Sequence, residues 1–153
     1  NGKFSEVEEN VKVFKSFPNV SRVVGAFTVQ ANNILQICDV IDYFLNDMGI
    51  IFYSHRVNYP MSLSAQVLPP ELKKKVVSDL EDMKEKVLNY KLVQENDLLK
   101  KVTLQQIQDN INFLQSKCMY DTHWQDCIEF NKRLDKTRNQ DFLSANPEFK
   151  FYV

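Results

Sequence analysis

The chain has 153 residues, of which 44% are hydrophobic and 12% aromatic, so it can bury one sizeable core. Its 19 basic and 20 acidic residues nearly cancel, which excludes the strongly cationic surface typical of nucleic-acid-binding proteins. No apolar run is long enough to span a bilayer, so we expect a cytoplasmic protein that binds neither nucleic acid nor membrane.

The motifs of several enzyme classes are missing from the sequence. The three glycines stand far apart, so no phosphate-binding loop with clustered glycines can form. The cysteines are too few and too widely spaced for a disulfide framework or an iron–sulfur motif, and we expect reduced thiols. They are Cys38, Cys118 and Cys127. We therefore predict neither a catalytic residue nor a metal site within this chain.

A helix is predicted at the start of the chain. Ser5 and Glu8 have the spacing of a capping box, and apolar residues then recur at helical spacing until Pro18 forbids continuation. These apolar residues are Val7, Val11 and Phe14. We expect the helix to end at Ser16 or Phe17.

Residues 21–60 have the order of a strand, a helix and a second strand. SRVVGAFTVQ (21–30) is mostly apolar and β-branched, 33–48 has an amphipathic helical pattern, and IIFY (50–53) opens a second apolar run. A crossover of this length joins parallel strands. Because the first strand is apolar nearly throughout, we expect a central strand that is covered on both faces.

The crossover helix carries an apolar stripe, and Gly49 is expected to end it as the residue just after the helix. The stripe consists of Ile34, Ile37, Cys38, Ile41, Phe44, Leu45 and Met48. A cysteine within such a stripe is more often a small buried hydrophobic residue than a ligand or nucleophile. We expect Cys38 to be structural.

Two strands do not make a parallel sheet, because such sheets are buried on both faces and usually have several strands. We therefore expect a piece of a larger protein. The missing strands would come from an absent N-terminal half or from a second copy in a homo-oligomer. The fold class is α/β: an αβαβ segment over 1–68, which contains the βαβ unit, and a helix-rich region over 69–153, within one globular unit.

Polar residues follow both strands, and ligands of parallel α/β folds bind at the carboxyl ends of strands. They are Gln30, Asn32 and Asn33 after the first strand, and Ser54, His55, Arg56, Asn58 and Tyr59 after the second. Asn33 or Asn32 either caps the following helix or contacts a ligand, and these roles are compatible. The second loop is either an ordinary connection or a site wall with Arg56 and Asn58 as polar hooks. We expect Asn33 and Arg56 to converge on one polar cleft.

The rest of the chain has helical patterns and no strand. Helices are predicted at about 71–90, 103–117 and 122–136, with a short turn at 142–143. The second of these helices begins with another capping-box spacing at Thr103.

Two stretches resemble one enzyme family. VQANNILQICDVIDYFLNDMGI, with the strand after it and a YP…LS…VLPPELK segment, resembles the late barrel strands of radical SAM enzymes. WQDCIEFNKRLDKTRNQDFLSANPEF is similar to the C-terminal helices of radical SAM proteins with a twitch domain, in which an LDKxRxxxFxxxxPE pattern closes the chain. The resemblance covers roughly residues 5–149 and implies that the βαβ unit is part of a (βα) partial barrel.

That family binds its iron–sulfur cluster through a CxxxCxxC loop, and this spacing is absent here. The resemblance thus implies the C-terminal half of such an enzyme, inactive alone, whose parent uses S-adenosylmethionine and an iron–sulfur cluster. It also implies a set of cofactor-binding residues. They are Gln30, Asn33, Ser54, Arg56 and Asn58. The alternative, from another class, is an autonomous helix-rich interaction module without catalytic activity, which joins a partner's sheet by strand addition.

Overall fold

The described residues, 3–153 of a computed structural model, form seven α-helices and one two-stranded parallel sheet. The elements are α1 (Phe4–Ser16), β1 (Val24–Val29), α2 (Ile37–Asp42), β2 (Ile51–Arg56), α3 (Pro70–Val87), α4 (Lys91–Gln94), α5 (Asp97–Ser116), α6 (Tyr120–Arg138) and α7 (Phe142–Ala145). Short 3-10 segments lie at Ile34–Gln36, Met61–Leu63, Ala65–Val67 and Pro147–Tyr152, and a π-helical turn at Tyr43–Asp47. The mixed α/β class is confirmed, with helices dominant. A partial barrel would need more strands than these two.

Helix α1 ends as predicted but starts differently. The predicted capping box is wrong, because Ser5 lies inside the first turn and Lys3 precedes the helix without a side-chain cap bond. The helix buries none of its residues, and the exposed fractions of Val7 and Phe14 are 52% and 53%. Lys15 anchors it by donating to two backbone carbonyls at the end of the crossover. The Val7 and Phe14 side chains therefore remain largely uncovered within residues 3–153.

The two strands pair in parallel from Val24 opposite Ile51 to Val29 opposite Arg56, which confirms the βαβ unit. The prediction that β1 is covered on both faces is wrong for the described chain. Side chains alternate across a strand, and those on one face of β1 are exposed. They belong to Val24, Ala26 and Thr28. The reason is that residues 3–153 supply a cover for only one face of this strand.

The crossover between the strands is one continuous helical segment over 34–47, as predicted, with a 3-10 first turn, an α-helical middle and a π-helical last turn. Its predicted stripe is largely confirmed, since Ile34, Ile37, Ile41 and Leu45 are buried. Gly49 adopts a φ of 57°, as expected of a residue that ends a helix in the left-handed region.

A close approach of the crossover to the sheet explains the glycine in β1. A Cβ atom at Gly25 would lie 2.6 Å from the ring of Phe44, closer than such contacts occur. Gly25 therefore lets the aromatic layer of the crossover lie directly on the strand.

The C-terminal helices follow the predicted order, but α5 starts earlier in the chain than predicted. Helix α5 begins at Asp97, where the side chain of Asn96 accepts a hydrogen bond from the N–H of Leu99 at 2.9 Å. The predicted cap at Thr103 is wrong, because this residue is fully buried inside α5. Within residues 3–153, every helix is too short or too polar to cross a membrane.

One hydrophobic core joins the βαβ segment to the helical region. Its C-terminal end is built around Phe149, which is fully buried. The ring of Phe149 stacks on Phe142 at 5.2 Å and meets Trp124 edge-on at 5.4 Å. The indole N–H of Trp124 donates to the carbonyl of Tyr152 at 2.8 Å. The last residues of the chain are thus part of the core.

The three thiols are free and lie in different environments. Burial raises the pKa of the Cys127 thiol to about 12, and burial followed by the charge of Asp79 raises the pKa of Cys38 to about 12. Cys118 is exposed. Since the thiolate is the nucleophile, the first two thiols are chemically quiet at neutral pH.

We expect one thiol to react fast and two to react slowly when the native protein is mixed with a chromogenic disulfide reagent at pH 8. Cys118 should react first, and Cys38 and Cys127 much more slowly, because burial shields both thiols from the reagent and raises their pKa, which lowers the fraction of thiolate. The release of coloured thiol over time measures this. The Cys118→Ser variant serves as the control and should lose the fast phase. A fast phase that remains in this variant would show that Cys38 or Cys127 is accessible.

Candidate functional site

The candidate site begins on β2, which is longer than predicted. Ser54 and Arg56 lie on the strand itself rather than in the loop after it. Because side chains alternate along a strand, both point to the same side of the sheet as the buried Phe52. The sequence obscures this extension, since polar residues replace apolar ones at the inward positions of the second half of the strand.

Helix α5 supplies the partners that make a buried polar strand possible. The hydroxyl of Ser54 donates to Oε1 of Gln106 at 2.9 Å and accepts from Nδ2 of Asn110 at 2.8 Å. The backbone N–H of Ser54 also donates to Oε1 of Gln106, at 3.0 Å. The Ser54 hydroxyl is therefore held inside the protein, and it orients the end of β2 rather than facing a solvent-filled site.

The same contact covers the outer edge of β2. The N–H groups of Ile51 and Val57 donate to carbonyls of the β1 segment, so the backbone of Ser54, between them, faces away from β1. Gln106 occupies the position of a further strand there by accepting from the Ser54 N–H. A side chain of α5 thus binds the Ser54 N–H in the middle of this edge of the sheet.

Arg56 is the last residue of β2 and is half-buried. Its Nη1 atom is shielded from solvent and has no acceptor among residues 3–153. Two acceptor-bearing groups on the face of α5 that meets β2 are also shielded and unpartnered, namely Thr103 Oγ1 and Asn110 Oδ1. A buried guanidinium N–H without an acceptor is costly, and the acceptor that suits it best is a carboxylate or a phosphate.

Asn33 does not cap the following helix through its side chain, because backbone groups of the β1 segment engage its amide. Its Nδ2 donates to the carbonyl of Thr28 at 2.9 Å, and its Oδ1 accepts from the N–H of Gln30 at 3.0 Å. It makes no side-chain cap bond to the helix that follows. Both polar ends of the side chain are thus engaged by the backbone of β1, on the edge that faces away from β2.

The structure brings together only part of the predicted set. Ser54 and Arg56 share the inward face of β2 at the carboxyl end of the sheet. The Asn33 amide lies beyond the opposite side of β1, so Asn33 and Arg56 do not converge on one cleft. Gln30 is half-buried beside Asn33, and Asn58 is exposed in the loop after β2.

An open cleft of about 570 Å³ lies next to the carboxyl end of β1, where Asn32 forms part of its wall. Its other walls come from the end of α6 and from α7, and include the buried amides of Asn131 and Asn146. Asn131 donates to the carbonyl of Cys127 at 2.9 Å, and Asn146 donates to that of Phe142 at 3.1 Å. This volume is within the range of small-molecule sites.

The rim of this cleft is charged, and its acidic groups already have partners. Asp135 accepts from the N–H of Phe142 at 2.9 Å, and Asp141 accepts from the N–H of Ser144 at 3.0 Å as the cap of α7. Arg138 is exposed and also lines the cleft. The site thus offers amides, a guanidinium and an apolar wall to a small polar ligand.

The sequence patterns did not identify the amides of Asn131 and Asn146 as site residues, because both are far in sequence from β1. One signal was present, since the stretch LDKTRNQDFLSANPE contains Asp135, Arg138, Asp141 and Asn146. Asn146 is linked directly to the crossover, where the side chain of Gln36 donates to its Oδ1 at 3.3 Å.

Within residues 3–153, no three His, Cys, Asp or Glu side chains come close enough to hold a metal ion. Comparisons of the chain with protein-family models, with curated proteins and with solved structures give no significant match.

Proposed function

We propose that the chain supplies the last two strands of the partial barrel of a larger radical SAM enzyme, and that their carboxyl ends help to bind S-adenosylmethionine and substrate. The observation that supports this is the difference between the two edges of the sheet. Gln106 of α5 accepts from an N–H on the outer edge of β2, whereas the outer edge of β1 has no strand beside it within residues 3–153. A further strand at β2 would have to displace this contact with α5, so β1 is the more accessible edge for extension, as the final strands of a partial barrel require.

The five predicted cofactor-binding residues divide into those that contact the ligand and those that position the strand ends. In this proposal Arg56, which lacks an acceptor, binds the carboxylate of the methionine part, and Gln30 and Asn58 are further contacts at the strand ends. Ser54 and Asn33 position the strand ends through their hydrogen bonds to protein groups. We infer both assignments from the position of these residues on the strands and from the resemblance of the sequence.

The iron–sulfur cluster of such an enzyme supplies the electron for cleavage of S-adenosylmethionine. The described residues do not fit a cluster, because the three free cysteines are not clustered with one another or with other ligands. In the proposed enzyme the cluster ligands therefore belong to another part of the protein.

The class of the protein can be tested directly by sequencing the gene upstream of the codon for Asn1. A CxxxCxxC motif in the same reading frame, preceded by a strand pattern, is the expected result. A complete reading frame without this motif would overturn the radical SAM proposal.

In the full-length protein, we expect Arg56→Gln to weaken S-adenosylmethionine binding about 10- to 100-fold. A hydrogen bond to a charged group contributes about 1.5–3 kcal/mol, which corresponds to that factor in affinity. Equilibrium dialysis with labelled S-adenosylmethionine measures the change. Arg22→Gln is the matched control, because Arg22 is exposed and precedes the opposite end of β1. Equal affinities of the two variants would exclude Arg56 from the site.

A second candidate function belongs to a different class, and the exposed apolar side of α1 favours it. A helix that buries none of its residues and exposes Val7 and Phe14 is typical of a surface that docks a partner. In this alternative the chain is an interaction module that joins the sheet of another protein. It becomes the better proposal if the upstream sequence lacks the cluster motif.

A further inference from the structure

The outer edge of β1 presents the backbone groups of every second residue. Ile51 and Val57 donate to the carbonyls of Val23 and Val29, at 3.3 and 2.9 Å, so the odd-numbered residues of β1 face β2. The backbone groups of consecutive residues in a strand point to opposite sides. The even-numbered residues therefore face away from β2, where none of the described strands lies. They are Val24, Ala26, Thr28 and, just after the strand, Gln30.

The side chain of Asn33 occupies one end of this edge in a specific way. In a parallel pair, a residue of the neighbouring strand donates its N–H to the carbonyl of residue i and accepts from the N–H of residue i+2. Asn33 donates to the carbonyl of Thr28 and accepts from the N–H of Gln30, two residues later. One side-chain amide thus makes the two hydrogen bonds that a residue of a third parallel strand would make.

We propose that the outer edge of β1 binds one short, apolar, parallel β-strand between Val24 and Thr28, and that Asn33 ends this pairing. The groups from the Val24 carbonyl to the Thr28 N–H can bond two residues of such a strand. The edge carries none of the charged residues or prolines with which proteins protect exposed strands. A neutral edge of this kind suits an apolar partner strand.

Helix α1 independently indicates the same partner. It precedes β1 in the chain, and its exposed apolar residues include Val13 and Phe14. A parallel strand at the open edge, followed by a helix in the position of α1, would form a right-handed βαβ unit in which the helix covers the added strand. One strand would then form hydrogen bonds with the outer edge of β1 and cover the exposed apolar residues of α1. This inference rests on the sheet extension in the proposed function, but it needs no assumption about the reaction.

Amide hydrogen exchange followed by NMR tests the proposal in two samples, the 153-residue chain and the full-length protein. In the dilute chain, the amides of Ala26 and Thr28 should exchange fast and that of Gln30 slowly. In the full-length protein all three should exchange slowly. In the dilute chain, where no partner strand can take the vacated position, Asn33→Ala should accelerate exchange at Gln30 about five- to tenfold, as loss of one hydrogen bond predicts. In the full-length protein the same variant should leave exchange at Ala26 slow.

Two further variants keep the test decisive if Asn33→Ala is poorly folded. Asn33→Asp retains an acceptor for the Gln30 N–H and should preserve its slow exchange. Asn32→Ala alters the neighbouring asparagine, which makes no bond to this edge, and should leave Gln30 unchanged. If Gln30 remains slow in the Asn33→Ala variant of the dilute chain, the Asn33 amide does not protect its N–H, and Asn33 does not end the pairing. If Ala26 and Thr28 exchange fast in the full-length protein, the edge binds no strand. Neither result depends on whether a cluster motif is present upstream.

Discussion

The Phe149→Ala variant is expected to lose about 3–5 kcal/mol of unfolding free energy, the range for truncation of a buried aromatic side chain. Phe149 is fully buried between the rings of Phe142 and Trp124. Its removal leaves a cavity where the last segment of the chain packs on α6 and α7. A loss of this size is a large part of the stability of an ordinary domain.

Urea unfolding monitored by circular dichroism measures this loss. Phe151→Ala is a matched control from the same 3-10 segment, because Phe151 is 88% exposed and should change stability by less than about 0.5 kcal/mol. Equal midpoints for the two variants would mean that the C-terminal segment is not docked in the core. The cleft lined by Asn146 should also lose its shape in Phe149→Ala, because Asn146 accepts the N–H of Phe149 through its backbone at 3.1 Å.

Gln106→Leu is expected to be the most destabilising polar substitution near the candidate site. Oε1 of Gln106 accepts from both the N–H and the hydroxyl of Ser54, which is only 6% exposed. Leucine fills similar space but accepts no hydrogen bond. Each buried donor left unpaired costs about 1–3 kcal/mol, so we expect the two donors together to cost about 2–6 kcal/mol.

The control for this variant is Gln105→Leu, one residue earlier in α5. Gln105 is exposed, and its amide contacts only Asp109, on the helix surface. Thermal unfolding should separate the two variants clearly, with Gln105→Leu near the parent protein. If Gln106→Leu melted with the parent, α5 would not hold the edge of β2, and the sheet would be free to extend on that side.

The positions of most helices could be predicted from sequence because burial follows local periodicity. Apart from Lys73, the buried residues of α3 are apolar and recur at helical spacing, and the start of the helix follows from Pro70. The predicted start was less accurate for helices whose first residue carries no strong local signal. Asn96 caps α5 through its side chain, and the capping-box spacing at Thr103 was misleading because Thr103 lies within the core.

The candidate site was harder to predict, because the state of a polar side chain depends on distant partners. Ser54 and Gln106 are far apart in sequence, and only their contact explains how a serine and an arginine continue a buried strand. Asn33 was expected to cap a helix or bind a ligand, since both are common for asparagine after a strand. It instead bonds the backbone of β1, a choice that depends on the path of the loop.

The sequence by itself determined the parallel βαβ unit, the helical C-terminal region and the buried stripes, because these depend on residue spacing along one segment. Only the tertiary structure decided which edge of the sheet is closed and which polar atoms lack partners. Gln106 covers β2, the Asn33 amide covers only one end of the β1 edge, and Nη1 of Arg56 is left without an acceptor within residues 3–153. Hydrogen-bond satisfaction is a property of three-dimensional neighbours, and no pattern within a single segment specifies it.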